Sequence, residues 1–165
     1  MHSRIFQITS DTDFGSLDTS KTIEDVLNSW DRYPWQVDYC SDISSSKLDA
    51  ELQGLFTSCF SPSAVFKDLF TYDKIQSTII FHEGFKKAYF KSNISQLVTV
   101  LKDKEFVNKF CDDPQFAYEL RSIIEDPLGI LILDGSFSLM SLDEFVREIE
   151  YETVYHITAV ADYHF

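Results

Sequence analysis

Four histidines, three cysteines and several runs of carboxylates hold most of the reactive side chains of this 165-residue chain. The segment YETVYHITAVADYHF at residues 151–165 places His156, Asp162 and His164 within one stretch that reads as a strand. Histidine and carboxylate donors together suit a transition metal. Side chains alternate along a strand, so His156, Thr158, Val160, Asp162 and His164 are expected on one face. Ile157, Ala159, Ala161, Tyr163 and Phe165 then form the opposite, core face. At about 3.3 Å per residue, His156 and His164 lie roughly 26 Å apart and cannot share an ion. Asp162 and His164 are separated by only about 7 Å, a spacing that allows two ligands. His2 supplies the third if the first and last strands pair antiparallel. The set His2, Asp162 and His164 would equip a small metal-dependent enzyme; the plainer reading is the polar face of a sheet.

The remaining reactive groups have less around them. His82 precedes Glu83-Gly84 and could act as a general base, but no motif surrounds it. Cys59 falls on an apolar helical stripe and reads as core. Cys40 lies between Asp38 and Asp42, whose charges raise a thiol pKa and oppose nucleophilic use. With Cys111 the cysteines are odd in number and widely spaced, as in a reduced cytoplasmic protein rather than a disulfide framework. Asp11 and Asp13 imitate the start of a calcium loop, but Ser16 and Thr22 stand where glycine and glutamate are required. The chain contains no phosphate loop, GxGxxG, GxSxG, HExxH or paired CxxC. No cofactor is expected.

Charge gives the stronger signal. The net charge is −13, and residues 111–165 hold twelve acidic residues against two basic ones. Such a surface opposes general nucleic-acid binding, which draws affinity from neutralising phosphates. It suits a basic protein partner. Asp143, Glu144, Glu148, Glu150 and Glu152 lie on or beside a helix whose other stripe is apolar. Like charges at i, i+4 cost a helix a few tenths of a kcal/mol, so a binding role would account for keeping them. The function this favours is a non-enzymatic interaction module of inhibitor or immunity type. The middle third is locally basic, and GFKKAYFK, read as a strand, puts Phe85, Lys87 and Tyr89 on one face. That is a possible platform for weak single-stranded nucleic-acid binding through residues 85–91.

These groups must be positioned by an α+β fold over residues 1–165, read as a single domain. SRIFQI and WQVDYC read as strands, and Ile23, Val26, Leu27 and Trp30 as a helical stripe. Leu48, Leu52, Leu55, Phe56, Cys59 and Phe60 form a second stripe. STIIFHEGFKKAYFKS fits either a hairpin about Glu83-Gly84 or a helix, with Asn93 capping a further helix. Asp113-Pro114 starts another helix. GILILDGSFSLMS is a hairpin signal at Asp134-Gly135. SLDE at 141–144 matches the capping box ahead of Leu142, Phe145, Val146 and Ile149. Short connections favour a mainly antiparallel sheet of about five to seven short strands with amphipathic helices on one face. No apolar run is long enough to span a membrane, and no signal peptide opens the chain, so a cytoplasmic location is expected.

Overall fold

The structure is a computed structural model that describes residues 2–15, 21–28, 39–43, 47, 50–51, 66, 68–104, 108 and 130–164. For residues 2, 3, 39–42, 96 and 164 the description covers the backbone. Seven strands form one sheet: β1 (His2–Ser10), β2 (Tyr39–Asp42), β3 (Phe70–Asp73), β4 (Thr78–Phe81), β5 (Leu131–Leu133), β6 (Leu139–Ser141) and β7 (Val154–His164). The helices among the described residues are α1 (Asp11–Phe14), α2 (Ile23–Asn28), α3 (Phe85–Lys102) and α4 (Leu142–Glu148).

The strand order is β3-β4-β7-β1-β5-β6, with β2 pairing β7 beyond the end of β4. The expected α+β sheet is therefore present and mainly antiparallel. Its one parallel pair is β1 with β5. Strands β1 and β7 pair over nearly their whole length, from His2 opposite His164 to Ser10 opposite Tyr155.

That pairing is interrupted once. Gln7 faces Ala159 but Ile8 faces Ile157, which leaves Thr158 as an extra residue. A bulge of this kind reverses the facing of all residues beyond it. The Thr158 hydroxyl closes it by donating to Gln7 Oε1 at 2.6 Å. The simple alternation read from the sequence is corrected here. Tyr155, Ile157 and Val160 enter one core, while Ala159, Ala161 and Tyr163 belong to the other.

Both faces of the sheet are thus covered. Phe6 and Ile8 point into the first core, and Ile5 into the second. Leu131 and Leu133 part from Ile132 in the same way. Strands buried on both faces read as continuous apolar runs, which explains IFQI and ILIL. Helices α3 and α4 pack in the first core; Ile23, Val26 and Leu27 of α2 fill the second. The helices do not share one face, because β1, β5 and β7 have apolar residues to bury on both.

Local signals explain the elements that frame the site. Ser141 caps α4: Glu144 N–H donates to Ser141 Oγ, and Ser141 N–H to Glu144 Oε2 at 2.8 Å. Residues 77–91 resolve into a strand followed by a helix. Gly84, at φ +94, provides the left-handed turn between them, and α3 runs unbroken through Asn93. Gly135 lies in the β5–β6 loop, where a Cβ would stand 2.6 Å from Thr9 Cγ2. The hairpin is thereby pressed against the end of β1.

Ile157 and His156 test this account. Ile157→Ala opens a cavity in the first core and is expected to cost about 2–5 kcal/mol. The sequence presents His156 as an inconsequential exposed residue. In the structure its ring stacks on Phe14 at 3.9 Å and its Nε2 lies 2.9 Å from Asp11 Oδ1. His156→Ala should then cost about 1 kcal/mol, the typical net value of an intramolecular hydrogen bond. Urea melts of both variants measure this. A cost for Ile157→Ala under about 0.5 kcal/mol, typical of exposed sites, would contradict the facing assigned to β7.

Candidate functional site

Strands β1 and β5 run parallel; β5 ends at Leu133, opposite Gln7, and β1 continues to Ser10. Beyond their carboxyl ends lies a cleft of about 410 Å3. Clefts at this end of neighbouring parallel strands are common ligand sites, since the chain diverges there. Three elements wall it: α1 from the end of β1, the β5–β6 loop, and the carboxyl end of α4. Ile8, Met140, Phe145, Ile149 and Tyr155 give it an apolar floor. Asp13, Asp134, Glu148 and Glu150 stand among its polar residues with Ser10, Thr12 and Ser136. Among the described residues, no lysine or arginine lines it.

The carboxylates differ in how they are held. Asp134 Oδ1 accepts from Ser136 N–H, Ser136 Oγ and Ser138 N–H, which shapes the loop. Asp13 Oδ2 accepts from Ser10 Oγ at 2.8 Å. Glu148 and Glu150 are exposed, and neither carboxylate has a partner among the described residues. Glu150 N–H donates to the Tyr155 hydroxyl at 2.7 Å. Burial pushes the Tyr155 phenol above its ordinary pKa of 10.0; the Glu150 N–H opposes this and the Glu150 carboxylate adds to it.

The acidic set read from the sequence is only partly available. Glu144 closes the capping box. Asp143 accepts the Tyr89 hydroxyl at 2.7 Å. Glu152 lies 3.0 Å from His82 Nδ1. Glu148 and Glu150 remain, and the fold adds Asp13 and Asp134, from segments more than 100 residues apart. Sequence reading assigned Asp13 to a failed calcium loop and Asp134 to a turn. Their convergence depends on the parallel β1–β5 pair.

The metal set is brought together in part. His2 and His164 are direct cross-strand partners in the backbone register, which meets the condition set for that site, but their side chains lie outside the described residues. The Asp162 carboxylate is engaged: Arg4 Nη1 donates to Asp162 Oδ1 at 2.5 Å, while Arg4 Nε donates to Glu51 Oε2 at 2.7 Å. The Glu51 hydrogen bond raises the Arg4 pKa against the lowering effect of burial, and the charges of Glu51 and Asp162 add to it. Among the described residues, no three histidine, cysteine or acidic side chains converge as metal ligands.

His82 sits between Glu152 and Thr71, whose Oγ1 lies 2.8 Å from His82 Nε2. The order matches hydroxyl, base and carboxylate in a nucleophilic set. Such a set also needs oxyanion donors and shelter from water. Thr71 is exposed on the outermost strand, and none of the three lines the cleft. We read the trio as a tether between the β3–β4 hairpin and the turn before β7.

The nucleic-acid platform at residues 85–91 assumed a strand. The segment is helical, with Phe85 and Tyr89 at 0% and 2% exposure, so these rings are unavailable for base stacking. Lys86 donates to the Arg147 carbonyl at 2.8 Å and fastens α3 to α4. The side chain of Cys40, and all of Cys59, Cys111 and residues 52–65 and 109–129, lie outside the described residues. No helix among the described residues is long and apolar enough to cross a membrane.

Comparison with protein-family models, curated proteins and solved structures finds no match. Function therefore rests on the geometry of the cleft.

Tyr155 makes that geometry measurable by pH. Its folded pKa is raised, so the folded state keeps a proton that the unfolded chain releases near pH 10. The contribution is complete below that value and is lost as pH rises through the folded pKa. Melting temperature should fall above about pH 10, and Tyr155→Phe should flatten that fall relative to wild type. Equal alkaline profiles for the two proteins would contradict the buried position of the phenol.

Proposed function

We propose that this protein is a non-enzymatic binding module, of inhibitor or immunity type, that recognises a basic protein through its acidic cleft. The observation that carries the reading is the cleft's lining: four carboxylates, no basic residue, and two glutamates without partners among the described residues. Like charges gathered on one surface repel one another, which opposes folding. A cationic partner relieves that repulsion and is steered towards the surface by the field of the whole chain, whose net charge is −13. A basic enzyme or nucleic-acid-binding protein, covered at its cationic surface, fits this role.

The test is capture of basic proteins on immobilised protein across a salt series, with Glu148→Lys/Glu150→Lys as control. Surface charges are screened over about 8 Å at physiological ionic strength, so capture should weaken steeply with added salt. The double reversal should weaken it at least about ten-fold, near 1.4 kcal/mol, and leave the melting temperature close to wild type. Capture that is indifferent to salt and to both substitutions would reject the proposal.

A further inference from the structure

Resting on that reading, we infer that the cleft seats one long cationic side chain, a lysine or arginine projecting from the basic partner. The lining divides into two chemistries that match such a side chain. Ile8, Phe145, Ile149 and Tyr155, each under 8% exposed, form with Met140 an apolar floor against which a methylene stem can pack. Carboxylates stand around the same space for the charged head. Lysine and arginine bury their stems on apolar surface while keeping the head among polar groups, and this division suits them.

Availability orders the carboxylates. Asp134 commits Oδ1 to its own loop, and Asp13 is held by Ser10. Glu148 and Glu150 commit neither oxygen among the described residues and are the principal partners of the head. The volume, about 410 Å3, is within the range of ligand-binding pockets and leaves room for bridging water. A bare metal ion fits less well. Among the described residues no three candidate ligands converge on a point, and the apolar floor would serve an ion no purpose.

Stem length is the property that separates insertion into the cleft from attraction to an acidic surface. Two labelled peptide amides serve as probes: an oligo-lysine, and a length-matched oligomer of 2,4-diaminobutyric acid, which carries the same ammonium head on a shorter stem. Fluorescence polarisation is read for wild type, Glu148→Lys/Glu150→Lys, and two variants that fill the cleft without changing charge, Thr12→Trp and Ser136→Trp. Both replaced residues are exposed, and a thermal melt checks each fold. Wild type should bind the lysine peptide about ten-fold more tightly than the short-stemmed one. Either tryptophan variant should abolish that preference and retain weak, salt-sensitive binding of both peptides. Equal affinity of wild type for the two peptides, or a preference that survives both tryptophans, would overturn the inference. If Glu148→Lys/Glu150→Lys still weakened binding in that case, the basic-partner reading would stand without it. Failure of both peptides to bind at low salt also overturns the inference; the capture experiment then decides the broader reading.

Discussion

The pairing of β1 with β7 is the constraint on which the rest of the described structure depends. It joins the two ends of the described chain, and β7 also carries β2 and β4 on its other edge. Strand β1 in turn holds β5 in parallel. Every strand of the sheet is therefore within three pairings of β7, with β3 and β6 attached through β4 and β5. The Thr158 bulge gives this pair its second property. By reversing the facing of β7, it delivers Ile157 and Val160 to one core and Ala161 and Tyr163 to the other. Fully burying side chains of this size stabilises by about 1.5–3 kcal/mol each, so both cores depend on that single strand.

The cleft follows from the same arrangement. Because β1 and β5 are parallel neighbours, α1 and the β5–β6 loop meet beyond their carboxyl ends. The capping box orients α4 so that its carboxyl end, with Glu148, closes the third side. Gly135 permits the approach of the loop to Thr9, which a side chain would block. Charge is thus gathered on a rigid frame while Asp143, Glu152 and Glu144 are spent internally, on Tyr89, His82 and Ser141. A binding surface built from ordered elements loses little entropy on association.

Much of this was legible where the signal is local. The SLDE capping box, the α2 stripe of Ile23, Val26 and Leu27, and the turn at Asp134-Gly135 each depend on neighbours within a few residues. The antiparallel pairing of the chain ends stood in the sequence only as the condition for a site of His2, Asp162 and His164. What was hidden depends on partners distant in sequence. A bulge is set by the register against β1, so nothing in HITAVADYHF alone announces that Thr158 is the extra residue. The helix from Phe85 was masked by a run of aromatic residues that suits either period. The cleft was only half visible. Glu148 and Glu150 stood out as helical acids, whereas Asp13 and Asp134 read as turn residues until the parallel pair brought them together.

The claim that this cleft, rather than acidity in general, receives the partner is tested most directly by amide chemical-shift mapping. Isotope-labelled protein is titrated with an arginine-rich peptide amide at moderate salt. The account predicts saturable shifts concentrated at residues 10–13, 134–136 and 148–150 and at Tyr155, the cleft and its immediate walls. Half-buried Glu24 and exposed Asp25, on the helix α2 whose apolar residues fill the other core, should remain unmoved. Shifts spread evenly over both acidic surfaces, or centred on α2, would contradict it.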